Sequence, residues 1–307
     1  MQIAIVGAGV IGASLGLLLQ RAGHPVVALA SRTKRRAQAT AALLGGVEVV
    51  ADPALAAMGA DVVLLAVPDR EIAALGERIA KGGALRRGAV VAHLAGGLPA
   101  AVLDPVRAAG AYPGALHPLQ TFADVDTAVR MLPGTAFAIE GDPRATEVLA
   151  RLASDVGGRP LHVASGQKAA YHAGAVLASN FVVTLLDGAV ELLVRAGVPR
   201  QEALPALLPL LSGTVQNLAQ VGLPDALTGP IARGDVGTVR SHLAALAAGN
   251  ADLLRLYVAL GHRTIEVALR KGTLAPPEAE ALRALLAEHD PGRDGTRPPS
   301  PAGPRGG

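Results

Sequence analysis

A chain of 307 residues with half of its side chains apolar is long enough to bury the cores of about two domains. It contains no cysteine, which excludes disulfides, thiolate metal centres and cysteine nucleophiles. Its 28 basic and 25 acidic side chains leave a net charge of only +3 and are interspersed except at Lys34-Arg35-Arg36 and in the tail, so nucleic acid is not the expected partner.

Met1-Gln2-Ile3-Ala4-Ile5-Val6 has no basic leader and no cleavage site, so these residues read as a strand, and a cytoplasmic location is expected. As far as residue 163, short β-rich runs alternate with helical patterns. The runs are Ile3 to Val6, Val26 to Ala30, Val47 to Val50, Val62 to Val67, Ala89 to His93, Gly114 to His117, Ala136 to Ile139 and Leu161 to Val163. Between them, Ile11 to Ala22, Lys34 to Leu44, Glu71 to Lys81 and Pro99 to Ala109 carry apolar residues at three- and four-residue spacing. This alternation predicts right-handed βαβ crossovers and a mostly parallel, doubly wound sheet over residues 1–164. With three Phe, three Tyr and no Trp, its core has to be filled by Ala, Leu and Val in close layers.

After about Ser165 the strand signal stops, and residues 166–197, 200–211, 235–248, 250–271 and 276–288 read as helices. The expected fold is thus an α/β domain followed by an all-α domain over residues 165–288. Its helices are unusually apolar, which predicts a homodimer through the helical domain. The longest apolar stretches, such as Ala173 to Leu186, are broken by Ser179, Asn180 and Thr184 and fall short of the roughly 20 residues of a membrane span, so no such span is expected. Residues 289–307 are dominated by Pro, Gly, Arg, Asp, Ser and Thr and read as a disordered tail.

Gly7-Ala8-Gly9-Val10-Ile11-Gly12 follows the first strand and opens a helix, the context in which a glycine-rich turn cradles a dinucleotide pyrophosphate. NAD-binding versions place an acidic residue at the end of strand two, but here that position reads Ser31-Arg32-Thr33, followed by Lys34, Arg35 and Arg36. Hydroxyls and guanidinium groups suit a 2′-phosphate, so NADP is the expected cofactor, with Arg32 and Arg36 as its ligands. Ala66, Val67 and Pro68, at the end of strand four, are expected to pack on the nucleotide.

His93 and His117 each end a strand at the ligand edge, where a histidine can bond a substrate oxygen or move a proton. His93 is assigned to the cofactor and His117 to catalysis; the alternative for each is a histidine satisfied by loop backbone. Farther on, Lys168, His172, Ala175 and Ser179 share one face of an apolar helix, with Asn180 beside them. A buried lysine needs an anionic or polar partner, which makes Lys168 the leading catalytic candidate, with His172 and Asn180 beside it. Thr228-Gly229-Pro230-Ile231-Ala232-Arg233-Gly234-Asp235 adds a guanidinium, although Asp235 also reads as a helix cap. The histidines show no metal-ligand spacing, so no metal is expected.

Gly7 to Gly12, His117 to Phe122, Lys168 with Tyr171-His172, Ser179-Asn180-Phe181 and Thr228 to Asp235 together resemble a Rossmann-like oxidoreductase family with a C-terminal domain of unknown function. Over residues 1–288 that family is similar to ketopantoate reductases, pyrroline-5-carboxylate reductases and the 6-phosphogluconate-dehydrogenase-like superfamily. In ketopantoate reductases and β-hydroxyacid dehydrogenases a catalytic lysine is followed four residues later by asparagine; Lys168 matches the lysine, and His172 stands in place of the asparagine. Prephenate dehydrogenases carry a similar His-Pro at the position of His117-Pro118. The resemblance implies NADPH-dependent reduction of a small 2-oxo acid such as ketopantoate. The alternatives are an imine reductase of the pyrroline-5-carboxylate reductase type and a non-catalytic NADP-binding sensor.

Overall fold

The computed structural model describes residues 1–290. Of the expected tail, His289 closes the last helix by donating from its backbone N–H to Leu286 O, and residues 291–307 lie outside the described residues. The chain divides into two compact units, Met1–Val182 and the residues from Val183 onward.

The first unit holds one eight-stranded sheet. Its strands are β1 (Ile3–Val6), β2 (Val26–Ala30), β3 (Glu48–Val50), β4 (Val62–Leu65), β5 (Val90–His93), β6 (Tyr112–Pro118), β7 (Ala136–Gly141) and β8 (Arg159–His162). They lie in the order β3-β2-β1-β4-β5-β6-β7-β8, with β6 and β7 antiparallel and every other neighbouring pair parallel. The strand order reverses between β1 and β4, and ligands of doubly wound sheets bind beyond the carboxyl ends of the strands at such a point.

Helices α1 (Val10–Arg21), α2 (Lys34–Leu43), α3 (Pro53–Ala56), α4 (Asp69–Lys81), α5 (Val125–Met131), α6 (Pro143–Asp155) and α7 (Lys168–Ala178) complete this unit. One apolar layer joins Leu15 and Leu19 of α1 to Leu149 and Leu152 of α6, and the other joins Ile72 and Ile79 of α4 to Leu103 and Val106. Both faces of the sheet are therefore covered, as strands that are apolar on both sides require. The segment Ala100–Ala109 is a 3₁₀ helix rather than the expected α-helix, with Pro105 inside it.

The helix expected over residues 166–197 is two helices, α7 and α8 (Asn180–Arg195). At Ser179 the backbone leaves the helical region (φ −129°, ψ −74°), and its N–H reaches back only to Val176 O at 3.4 Å. The first of the two is tied to the end of β6 by the Tyr171–His117 hydrogen bond, and the compact unit extends to Val182, past the boundary expected at residue 164. By length and composition alone the run Lys168–Arg195 (28 residues) could cross a membrane, an 18-residue stretch within it having a mean hydropathy of 1.7, which corrects the expectation that no stretch is long enough; counting α7 and α8 together makes the difference.

The second unit contains most of α8 with α9 (Arg200–Val221), α10 (Val236–Ala247), α11 (Ala251–Lys271) and α12 (Pro276–Glu288). Its core is built from side chains such as Val239, Leu243, Val258, Ile265 and Leu282. Helix α9 runs well beyond the expected residue 211, through Pro205 and Pro209. Both prolines face solvent, where water can satisfy the carbonyls they leave without an N–H partner.

Candidate functional site

The chain leaves β1 through Gly7, whose φ of +117° lies in the region that disfavours side chains. A Cβ on Gly7 would lie 2.1 Å from Ala66 O, and one on Gly12 would lie 2.2 Å from Gly7 O. Gly9 faces open space and caps α1 without a side-chain bond, and the first turn holds no acidic residue. The first backbone N–H groups of α1 therefore remain available to an anion. These glycines fit the pyrophosphate of a dinucleotide.

Beyond the turn lies a cleft of about 250 Å³. Gly7, Ala8 and Gly9 form one side, Ser31, Arg32, Thr33 and Arg36 the second, and Ala66, Val67 and Pro68 the third. The structure thus brings together ten of the fourteen residues assigned to the cofactor. Gly12 is buried beneath, and Val10 and Ile11 line an adjoining cleft with Leu94, His117 and Thr121. Three residues of α4 that the sequence reading missed, Glu71, Leu75 and Arg78, also line the cofactor cleft. Glu71 accepts an ion pair from Arg32 at 2.8 Å, and Arg78 pairs with Asp52 at 3.1 Å. Glu71, Leu75 and Arg78 recur at three- and four-residue spacing, so a single helix face was the available signal.

His93 is the exception, and its assignment to the cofactor is corrected. It is fully buried: Nε2 bonds Pro99 O at 3.2 Å, and Nδ1 accepts from Ala95 N–H at 3.2 Å. With both nitrogens committed to the loop it covers, the ring offers nothing to a ligand. Burial holds its pKa down at about 4, so it is neutral.

His117 stands at the same sheet edge, because β5 and β6 run parallel with His93 opposite Ala115. Its Nδ1 lies 2.8 Å from the Tyr171 hydroxyl on α7. Burial, aided by the positive charge of Lys168, lowers the His117 pKa to about 4, while burial raises that of Tyr171 to about 12. Tyr171 is therefore the donor to a neutral His117. His172 approaches from the other side with a buried Nδ1 that has no partner. The two rings converge on Gly96, where a Cβ would lie 2.5 Å from His172 Nδ1 and 2.9 Å from His117 Nε2.

His117, Tyr171 and His172 line a second cleft, of about 610 Å³, together with Gln120, Thr121, Ser179 and Asn180. Lys168 is not among the lining residues. It is 1% exposed, its Nζ has no hydrogen-bond partner, and it lies 5.1 Å from the centre of the Tyr171 ring. The expectation that Lys168 meets substrate directly is thus corrected: its helix face turns into the protein, behind the tyrosine. Burial lowers its pKa from 10.5 to about 8 against the opposing pull of the carboxylates of Glu140 and Asp69. Glu140, also buried, accepts from Ala100 N–H at 2.7 Å.

The Thr228 to Asp235 cluster belongs to the second unit. Ile231–Arg233 is a 3₁₀ turn with Arg233 exposed, and Asp235 caps α10 by accepting from Thr238 N–H at 2.9 Å. Among the described residues, no group of three or more His, Asp or Glu is placed to hold a metal ion.

The glycine turn, the arginine-lined cleft and the doubly wound sheet define a dinucleotide-binding α/β protein. Comparison by sequence agrees: family models match residues 1–118 as a Rossmann-like domain and residues 135–264 as a domain of unknown function, DUF2520. The chain thus combines a Rossmann-like region with a DUF2520 region. No protein of curated function matches it. Among solved structures, a Bacteroides fragilis protein provisionally assigned as an NADP oxidoreductase is 28% identical (86% of this chain, 97% of that one, TM-score 0.68). A Thermotoga maritima protein is 25% identical (89% and 100%, TM-score 0.70). A Plasmodium falciparum pyrroline carboxylate reductase with NADP bound shares the fold at 12% identity (94% and 97%, TM-score 0.54).

Proposed function

We propose that the protein is an NADPH-dependent oxidoreductase that reduces the carbonyl group of a small substrate, with 2-oxo acids such as ketopantoate as the first class to test. The observation that carries this reading is the Tyr171–His117 pair, neutral at physiological pH and opening onto a cleft at the carboxyl edge of a dinucleotide-binding sheet. The reduced nicotinamide, when bound, supplies hydride. The chain's own residues supply the proton. His117 accepts at Nδ1 from Tyr171, so its own proton sits on Nε2, free to pass to a substrate oxygen as negative charge develops there. The Tyr171 proton moves to Nδ1 in turn, and Lys168 behind the ring stabilises the phenolate until solvent returns a proton. Gln120, Thr121 and Asn180 offer neutral donors to the remaining polar atoms of the substrate.

Imine reduction is a second reading, favoured by His172, a second imidazole on the cleft able to bond a substrate nitrogen. Both readings are tested by titrating the protein with NADPH and NADH, then following nicotinamide absorbance with ketopantoate, pyrroline-5-carboxylate and a panel of 2-oxo acids. NADPH-dependent turnover of an oxo acid supports the first reading, and turnover of the imine alone supports the second. Binding without turnover of any of them favours a sensor.

We also propose that the protein is a homodimer. Leu204, Leu208, Val215 and Leu218 lie exposed along α9 at spacings that place them on one side of the helix, an apolar stripe suited to a second copy of itself. Light scattering that gives a monomer mass would remove this proposal.

A further inference from the structure

Within the cleft assigned to the adenosine end of the cofactor, one carboxylate stands among the cations. Glu71 lies on the first turn of α4, 19% exposed, with Oε1 2.8 Å from Nη2 of Arg32, whose side chain is 77% exposed. Arg70 Nε stands 4.0 Å from the same oxygen. Arg36 and Arg78 line the cleft as well, and Arg78 is already paired with Asp52. A 2′-phosphate reaching Arg32 would meet an occupied guanidinium and a nearby negative charge, whereas a ribose 2′-hydroxyl would meet a carboxylate able to accept its hydrogen bond.

We infer that Glu71 sets the choice between NADP and NAD by competing with the 2′-phosphate for Arg32. This rests on the cofactor reading above and deepens it. When the 2′-phosphate binds, Arg32 turns from Glu71 to the phosphate, and Arg70 is the neighbouring cation placed to take up the released carboxylate. When NAD binds, the Arg32–Glu71 pair stays closed and Glu71 faces the ribose. The residue therefore weakens discrimination in a site whose other side chains favour the phosphate, and the chain accepts both cofactors to a degree that Glu71 controls. Because both partners belong to one compact unit and the pair is half open to solvent, exchange needs side-chain rotation only.

The test is a binding titration that follows cofactor fluorescence with NADPH and with NADH, on the full chain and on Glu71→Gln, Arg32→Ala and the double variant. The exposed pair and the lost repulsion together predict that Glu71→Gln tightens NADPH by about 3- to 10-fold and leaves NADH unchanged or slightly weaker. In the Arg32→Ala background the gain should shrink, because only the lost repulsion remains. Equal changes for the two cofactors, or a gain undiminished by loss of Arg32, would overturn the competition and make Glu71 an ordinary wall of the cleft. If the unaltered protein binds neither cofactor, the reading of the cleft falls and this inference falls with it; if it binds with a ratio that Glu71→Gln does not move, this inference alone falls.

Discussion

Replacing Lys168 by methionine should make the protein more stable and less active. The side chain is buried with no partner for its Nζ, and its pKa falls from 10.5 to about 8. A difference of that size costs the folded state about 3 kcal/mol while the lysine is charged. Methionine fills nearly the same volume without a charge to desolvate. Against this, buried Glu140 loses an attractive neighbour and keeps only its bond from Ala100 N–H. The net gain should be about 1–3 kcal/mol at pH 7, or about 2–4 °C in Tm for each kcal/mol in a domain of this size. The sign is checked by pH. Because the folded-state pKa lies below the unfolded one, the unfolded chain binds more protons between pH 8 and 10.5, so wild-type stability rises through that window, and Lys168→Met should lack that rise. Denaturation followed by circular dichroism at pH 6 to 11 measures both. The same variant should raise the pKa of His117, which the lysine's charge helps to depress, moving the acid limb of kcat/KM upward. A variant less stable than the parent at pH 7, or with the same slope above pH 8, would show that Nζ has a partner and refute the reasoning.

Tyr171→Phe should leave NADPH affinity unchanged and lower kcat by about 10²- to 10⁴-fold, since it removes the proton reservoir behind His117; stopped-flow absorbance separates the two. Gly96→Ala should displace the His117 and His172 rings, which a Cβ would approach to 2.9 and 2.5 Å, destabilising the protein by about 1–3 kcal/mol and abolishing turnover. A crystal structure of that variant with both rings in place would contradict the packing described. His93 is buried with a pKa of about 4 against 6.5 when unfolded, so stability should fall as pH drops from 6.5 through 4, by about 3 kcal/mol for this ring. His93→Asn should flatten that acid slope in the same denaturation series.

Local chemistry made much of this legible from the residues alone. The glycine turn after Val6 announces itself because only glycine tolerates a φ of +117° and a neighbouring carbonyl 2.1 Å from where a Cβ would stand. The strands were readable because doubly covered strands are continuously apolar, and residue 31 onward showed its cations because β2 ends there. The short α5 escaped the reading, and so did α6, although it begins at Pro143 behind an Asp142 cap and buries Ala145, Leu149, Leu152 and Ala153.

What tertiary structure alone decided concerns which way a residue faces and what it meets. The positions of Lys168 and His172 on one helix face were visible in the spacing, but not that the lysine would be sealed behind Tyr171 while His172 reached Gly96. His117 and His93 looked alike as strand-end histidines. The partners that separate them, Tyr171 for one and Ala95 with Pro99 for the other, are set by how the segments cross over the sheet. Glu71 and Arg32 are far apart in sequence and meet only because β2 and β4 flank β1 in parallel, so that the segments following both leave the sheet at the same edge. Backbone conformation follows from each residue and its neighbours, and so the sequence determined it; burial and ion pairing are properties of distant segments brought together, and only the folded chain could settle them.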